Sequence, residues 1–230
     1  MSHGKQFTLF SHPLGPNGIK VAIVLEELGL TYEAVYLSAF EEGDRNVKGP
    51  LHTKYNPNGR IPTLIDHRSS DFVVWESDAI LTYLVERYDA EHKISVTDLE
   101  DKITQLQWLF FQASGQGPYF GQAGWFTSWH PEKLPSATER YRKEVLRVFG
   151  VLNSVLSKQE WLVGGKCTVA DLSFIPFNVL AITDYVADYN RFDFARDFPA
   201  VFKWHNDLVS REAVRKVYEI KDSLEGRVLM

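Results

Sequence analysis

A change of pattern near residue 90 limits what this 230-residue chain can fold into. Before that point, short apolar runs typical of strands alternate with helical segments, and after it the periodicity is helical throughout. A chain of this length can form one large domain or two small ones. We expect two domains, residues 1–90 and 98–230, with the segment AEHKISVT (90–97) as the linker.

The start of the first domain predicts a βαβ unit. QFTLF (6–10) has the composition of a strand, and EAVYL (33–37) follows at a distance that leaves room for one helix. Pro16 suits the first position of that helix, and Gly29 is placed to end it.

The rest of this domain predicts two further strands and a helix. IPTLID (61–66) and FVVW (72–75) are joined by the polar turn HRSS, and Ser77 is the expected N-cap of a helix to about Tyr88. A βαβ unit followed by ββα is a thioredoxin-like layout, so the fold class is α/β in this half.

The second domain is predicted to be all-α. Residues 98–116 have helical periodicity, SATE (136–139) has the pattern of a capping box, and TVAD (168–171) signals another helix start. The segments PAVFKWHNDLVS (199–210) and REAVRKVYEI (211–220) complete the helical set.

Composition argues against several classes of protein. The net charge of −5 and the pI of about 5.8 do not favour a nucleic-acid surface. No apolar stretch approaches the roughly 20 residues of a membrane span, and MSHGKQFTLFSHP lacks the apolar core of a signal peptide. Because Cys167 is the only cysteine, we expect no internal disulfide and a cytoplasmic location.

The turn in SHPLGPNGIK (11–20) is a candidate anion site, because it opens a helix directly after the first strand. Gly15 has no side chain and Pro16 has no N–H, so Asn17 is the expected donor, through its side-chain amide. The alternative is that Asn17 is an ordinary turn residue. Ser11 ends the first strand, and three further residues precede the Gly15-Pro16-Asn17 turn, so we expect Ser11 to be structural.

Four segments together resemble the cytosolic glutathione transferases almost from end to end. They are SHPLGPNGIKVAIVLEELG (11–29), NPNGRIPTLID (56–66), WESDAILTYL (75–84) and WLVGGKCTVADLSFIP (161–176). Their order and spacing carry the resemblance, since no single motif is decisive. Within that superfamily, LFSHPLGPNGIKVAIVLEEL and WLFFQASGQGPYFGQA look most like the fungal relatives of the yeast nitrogen-regulation prion protein and the bacterial nu-class enzymes.

The resemblance implies an enzyme that activates the thiol of glutathione for attack on an electrophile or a disulfide. It also implies a homodimer, glutathione as cosubstrate and no metal. A thiol has a reference pKa near 8.5, and lowering that pKa by about two units requires about 2.7 kcal/mol. A helix N-terminus with one or two donors can supply this. Relatives place an asparagine at the position of Asn17 and often a threonine where this chain has Gly15.

The resemblance also implies which residues hold glutathione in the first domain. Ile61-Pro62 is expected to be a cis bond that presents the Ile61 backbone to the cysteinyl part of the tripeptide. Glu76 and Ser77 are expected to hold the γ-glutamyl end, although Ser77 is also explained by capping alone. The glycyl carboxylate needs a cation, and the choice stays open among Lys48, His52 and Arg60.

The second substrate is expected between the two halves. The candidates for its site come from the first loop and the long helix of the second domain, and they are Leu14, Phe111, Ser114, Tyr119, Phe120 and Trp125. Aromatic residues at helical spacing are more often part of the core, so that alternative stays open. Asp171 is expected to be structural, and Cys167 to be an inert, buried or half-buried thiol.

Two other functions stay open. Nu-like relatives bind two glutathiones or the glutathione disulfide and reduce disulfides or peroxides, and FFQASGQGPYFGQ is compatible with this. The chain could also be a non-enzymatic regulator like the yeast nitrogen protein, or a ligand-binding protein. That regulator has a long Asn/Gln-rich N-terminal extension and an insert before WLVG. This fold is expected to start within the first ten residues, and LSKQEWLVGGK has no insert, which favours the enzyme.

Overall fold

The structure, a computed structural model, describes residues 4–38, 43 and 45–228, with the backbone alone for residues 225–228. It divides into two compact units: the residues up to Lys93 together with those from Arg211 onward, and Ile94–Ser210. The sequence analysis assigned all of 98–230 to one domain, whereas the last helix clusters with the first unit. Residues 1–3, 39–42, 44 and 229–230 of the expected domains lie outside the described residues.

The first unit contains a four-stranded mixed sheet with the order β2-β1-β3-β4. Its strands are β1 (Phe7–Ser11), β2 (Tyr32–Tyr36), β3 (Thr63–Asp66) and β4 (Phe72–Trp75). β1 is parallel to β2 and antiparallel to β3, so that Leu9 lies opposite Ala34 and Leu64, and β4 is antiparallel to β3. The predicted thioredoxin-like order of strands is therefore confirmed.

Helices pack against this sheet much as the sequence predicted. They are α1 (Pro16–Glu27), the single turn α2 (Pro50–Thr53) and α3 (Ser77–Tyr88). Val21, Val24 and Leu25 of α1 are fully buried, as is Leu84 of α3. One detail of the prediction is wrong: Ser77 is the first helical residue of α3, and the N-cap position belongs to the residue before it, which makes no side-chain capping bond.

The second unit is helical in its described residues. Its helices are α4 (Leu99–Phe111), α5 (Gly117–Gly124), α6 (Pro135–Leu156), α7 (Val169–Ser173), α8 (Ile175–Leu180), α9 (Phe194–Asp197) and α10 (Pro199–Val209). The predicted helix over 98–116 is α-helical only to Phe111 and continues as a π-helical turn, Gln112–Gln116. Pro118 cannot donate an i→i−4 bond, and the wider turn precedes it.

The two predicted capping boxes had different outcomes. The box at 168–171 is confirmed, with reciprocal bonds between Thr168 and Asp171. The one at Ser136 is wrong, because α6 begins at Pro135 and its N-cap residue makes no side-chain bond. Proline at the first helical position already has the required φ and needs no acceptor for a missing N–H.

The last helix, α11 (Glu212–Val228), packs on α1 within the first unit. Arg211 forms a bidentate ion pair with Glu27, at 2.6 and 2.9 Å, and Lys216 lies 2.6 Å from Glu26. Val214 is 1% exposed, so the contact is also apolar. Across the part of the chain that the structure describes, no helix has the length and apolarity that crossing a membrane requires.

Candidate functional site

The turn at Gly15 starts α1 without a side-chain cap. Gly15 has an extended backbone, with φ −80°, and its carbonyl accepts from the N–H groups of Gly18 and Ile19 at 3.0 and 3.1 Å. Pro16 follows as the first helical residue, and Asn17 is the second. The amide of Asn17 thus lies in the first turn, where the helix dipole favours negative charge.

Ser77 contacts Asn17 across the site. The Ser77 hydroxyl donates to Asn17 Oδ1 at 3.3 Å, which joins the first turn of α3 to the first turn of α1. Within the described residues, this is the one hydrogen bond of the Asn17 side chain. The Nδ2 group therefore keeps two N–H donors for another acceptor.

The loop before β3 lies directly beside this turn. Ile61-Pro62 is a cis peptide bond, as the resemblance implied. A Cβ atom placed on Gly15 would lie 2.7 Å from Ile61 Cδ1. The Ile61 side chain therefore occupies the space next to Gly15, which gives a steric reason for a glycine at this position.

A buried network that the sequence analysis missed supports the loop. Asn56 donates from Nδ2 to the Arg60 carbonyl at 2.7 Å and to Thr63 Oγ1 at 2.9 Å, so it bridges the two ends of the cis-proline segment. His52 is fully buried, with Nδ1 2.7 Å from the Val47 carbonyl and Nε2 2.9 Å from Thr63 Oγ1.

The burial of His52 corrects one expectation. Both ring nitrogens are engaged inside the protein, so His52 does not offer a cation to a bound carboxylate. Lys48 and Arg60 are both exposed. A Cβ atom on Gly59 would lie 3.3 Å from Lys48 Cγ, which places the stem of Lys48 against the residue before Arg60. These two cations therefore stay as the candidates.

Glu76 has an unusual backbone where it leads into α3. Its φ is 69° and its ψ 117°, which few non-glycine residues adopt, and its side chain is exposed. Backbone conformations of this kind cluster at binding sites. Ser77, the next residue, is 8% exposed.

A second pair of residues joins the same two helices, and the sequence analysis missed it. Lys20 Nζ lies 2.8 Å from Asp78 Oδ1, and the Lys20 side chain is fully buried. Burial lowers the pKa of Lys20 and raises the pKa of Asp78, and the attraction between the two opposes both shifts. The signal was available, since a lysine inside the apolar run GIKVAIVL requires a partner.

Ser11 lies beneath α1. It is 4% exposed, and a Cβ atom on Gly18 would be 1.9 Å from Ser11 Oγ. This burial agrees with a structural role. Nearby, His12 Nδ1 accepts from the N–H of Leu14 at 3.1 Å, and burial lowers the pKa of His12.

The residues proposed for the second substrate have different surroundings. Leu14, in the first unit, is 38% exposed, and Trp125, in the second, is 45% exposed. In the second unit, Ser114 is exposed, while Phe111 and Tyr119 are half-buried.

The structure corrects the expectation that Phe120 contacts the second substrate. It is fully buried, with ring centroids 5.6 Å from Phe149 and 6.4 Å from Phe177. It belongs to the core of the second unit, because helical spacing of aromatic residues is typical of packing.

Asp171 and Cys167 lie in buried surroundings. Asp171 is fully buried and accepts from the backbone of Leu162 and Thr168, the Thr168 hydroxyl and the Trp204 indole. Burial raises the pKa of Asp171, and these hydrogen bonds oppose the shift. Cys167 is 7% exposed. The position of Asp171 suits the expected structural role, and the burial of Cys167 agrees with the expected buried or half-buried thiol.

Two family models match the chain. The model for the N-terminal domain of glutathione S-transferases matches residues 5–86, and the model for their C-terminal domain matches residues 100–212.

Curated relatives extend over most of the chain. Glutathione S-transferase 2 of Schizosaccharomyces pombe is 44% identical over 93% of this chain and 95% of its own length. The transcriptional regulator URE2 of Saccharomyces cerevisiae is 38% identical over 91% of this chain and 67% of its own length.

Solved structures of similar proteins contain glutathione compounds. The glutathione transferase URE2P5 of Phanerochaete chrysosporium has a TM-score of 0.94 and 57% identity, with full coverage of both chains. It was also cocrystallised with 1-(S-glutathionyl)-2,4-dinitrobenzene, with a TM-score of 0.91, 56% identity and 98% coverage of both chains. URE2P6 of the same organism, in complex with oxidised glutathione, has a TM-score of 0.90 and 57% identity, over 97% of this chain and 100% of that one.

Proposed function

The chain belongs to the glutathione S-transferase family, and from that premise we propose that it binds glutathione in its first unit and activates the thiol for attack on an electrophile. The family accounts for the fold and for the ligands of the relatives. The residues of this chain supply the rest of the proposal, namely where glutathione binds and which group stabilises its thiolate.

The contact of Ser77 with Asn17 carries the proposal. The bond at 3.3 Å fixes the Asn17 carbonyl oxygen, so the amide donors face away from Ser77 in the first turn of α1. A donor to a charged acceptor contributes about 1.5 to 3 kcal/mol, and the helix dipole contributes about 0.3 to 1 kcal/mol. The sum is about 1.8 to 4 kcal/mol, a range that includes the roughly 2.7 kcal/mol needed to lower a thiol pKa by about two units.

The remaining parts of glutathione find partners around this point. The Ile61 backbone, beside Gly15, is proposed to bind the cysteinyl backbone as a strand would. The backbone N–H of Ser77 and the other first-turn N–H groups of α3 are proposed to hold the γ-glutamyl carboxylate, with Glu76 on the ammonium group. The single proton of the Ser77 hydroxyl is donated to Asn17. The exposed side chains of Lys48 and Arg60 are the proposed partners of the glycyl carboxylate.

In the proposed reaction, the thiol proton leaves to solvent and the Asn17 amide donates to the remaining thiolate. The sulfur then attacks an electrophilic carbon, which loses its leaving group. The dinitrobenzene conjugate bound to URE2P5 is a product of this class of reaction. Leu14, Phe111, Ser114, Tyr119 and Trp125 stay the proposed contacts of the electrophile.

Calorimetry with millimolar glutathione tests the proposal. We expect binding by the wild type and weaker binding by Ser77→Ala, because that variant loses the hydroxyl that fixes the Asn17 amide next to the proposed site. Ser154→Ala is a matched control, since its hydroxyl caps only the Val151 carbonyl on α6. No binding by the wild type, or equal binding by the Ser77 and Ser154 variants, would contradict the proposal.

Disulfide chemistry is the second candidate function, and the oxidised glutathione bound to URE2P6 favours it. Here the glutathione thiolate attacks one sulfur of a disulfide and releases the other as a thiolate. Crystals soaked with both reduced and oxidised glutathione distinguish conjugation from disulfide exchange. A second occupied glutathione site would favour disulfide exchange. A regulatory role like that of URE2 remains the alternative if glutathione binds without turnover.

We also propose that the chain forms a homodimer in the cytoplasm. Leu99, Ile103 and Phe110 form an apolar stripe on one side of α4, with exposures of 67%, 57% and 70%. A stripe of this kind marks an interaction surface. Sedimentation should show a dimer that Phe110→Asp shifts towards monomer. A monomeric wild type at micromolar concentration would contradict this.

A further inference from the structure

The ion pair between Lys20 and Asp78 joins the second turn of α1 to the first turn of α3. Lys20 Nζ is 2.8 Å from Asp78 Oδ1, and the side chains are 0% and 13% exposed. The carboxylate of Glu76 also attracts the Lys20 ammonium group. One buried cation is therefore paired with the carboxylate of Asp78 and attracted by that of Glu76, and both residues lie on the segment that starts α3.

Each member of the pair is close in sequence to a residue of the proposed glutathione site. Lys20 follows Asn17 by three positions, which places the two on one side of α1. Asp78 directly follows Ser77. The starts of the two helices are thus joined twice, by a charged contact at 2.8 Å and by the neutral Ser77–Asn17 bond at 3.3 Å.

Stability alone is a weak reason for this arrangement. The cost of removing two charges from water offsets much of their attraction. In addition, Asp78 Oδ2 is buried and has no hydrogen-bond partner among the described residues, which is a further cost. Local arrangements that reduce stability are typical of functional sites.

We propose that Lys20 and Asp78 are positioning residues for glutathione activation: their ion pair holds α1 in register with α3, so that the Asn17 amide stays directed at the thiolate. Lys20 also compensates the negative charge of Asp78 and Glu76 next to a site that must hold an anion. Neither residue touches glutathione in this account. The inference rests on the proposed function and deepens it.

The test replaces Lys20 with methionine, which has a similar length and no charge. In Lys20→Met we expect the pKa of the bound thiol to rise by about one unit, measured by the ultraviolet absorbance of the thiolate. Turnover at pH 7 should fall about tenfold and recover partly at higher pH. Because a lone buried carboxylate destabilises the fold, the double variant Lys20→Met/Asp78→Asn is measured as well. It should regain thermal stability while its thiol pKa stays raised.

Arg211→Met is the matched control. It removes the bidentate partner of Glu27, whose side chain is 5% exposed, at the other end of α1, and leaves that carboxylate with Lys93 Nζ at 3.9 Å. We expect a lower melting temperature and an unchanged thiol pKa. Lys20→Met and the double variant could instead show only a lower melting temperature, with the pKa of the bound thiol equal to that in the wild type. That result would show that the inference is wrong. If the wild type binds no thiolate, the proposed function fails instead, so the two failures are distinguishable.

Discussion

The hydroxyl oxygen of Ser11 lies 1.9 Å from the position that a Cβ atom on Gly18 would take. The end of β1 and the first turn of α1 are therefore interlocked, and any side chain at position 18 must displace Ser11. This contact explains why Ser11 is 4% exposed, and it fixes where the first turn of α1 lies relative to the sheet.

Gly18→Ala should therefore destabilise the protein. Overpacking of a well-filled site costs about 1 to 3 kcal/mol. The double variant Gly18→Ala/Ser11→Gly removes the obstructing side chain, so it should be more stable than the sum of the two single effects predicts. Urea unfolding measures all three variants, and strictly additive free energies would contradict the interlock.

Asp171 should contribute to the stability of the protein and not to its proposed reaction. Both carboxylate oxygens accept from N–H or O–H donors, and an amide in their place would direct N–H groups at some of those donors. Asp171→Asn should lower the free energy of unfolding by about 3 kcal/mol or more. The folded fraction should keep its affinity for glutathione. Loss of that affinity at unchanged stability would show that Asp171 belongs to the site.

The sequence predicted the parts of the fold that depend on local pattern. The four strands follow from apolar runs between turns, and the capping box of Thr168 with Asp171 follows from residue types three positions apart. The contact of α11 with α1 was not predictable in this way. It depends on ion pairs such as Arg211 with Glu27, which are 184 positions apart.

The candidate site was likewise predictable only where local sequence pattern or the family resemblance indicated a residue. Asn17 and Ser77 were identified from helix starts, and the cis bond at Ile61-Pro62 from the family resemblance. The burial of His52 and Phe120 depends on which elements cover them, so the sequence left each with an alternative. The position of Lys20 in an apolar run indicated a partner, but the sequence could not identify Asp78 as that partner because it lies 58 positions away.

His205 should make stability depend on pH. Burial lowers its pKa to about 4, and its Nδ1 atom is buried without a partner among the described residues. Because the folded pKa lies below the ordinary value of about 6.5, the unfolded state binds the proton first. Stability should thus be complete above about pH 6.5 and decrease as the pH falls towards 4, by about 1.4 kcal/mol per unit.

Denaturant unfolding between pH 7 and pH 4.5 measures this slope. His205→Leu cannot take up a proton, so its stability should decrease less over the same range. Parallel curves for the wild type and the variant would contradict a role for His205 in the acid sensitivity.

Cys167 should be dispensable for activity. It is 7% exposed, and in the sequence it directly precedes the capping box at Thr168. Cys167→Ser should keep thiol-transfer activity within a few-fold of the wild type at equal concentrations of folded protein. Near-complete loss of activity without unfolding would mean that the protein's own thiol is the nucleophile.

The thiolate absorbance of bound glutathione, titrated against pH for the wild type and for Asn17→Ala, tests the central claim most directly. Removing a donor worth about 1.5 to 3 kcal/mol should raise the pKa of the bound thiol by about one to two units. Turnover at pH 7 should fall about 10- to 100-fold, with part of the loss restored at higher pH, while glutathione affinity changes less. Coincident titrations for the two proteins would contradict the account and reduce Asn17 to a turn residue.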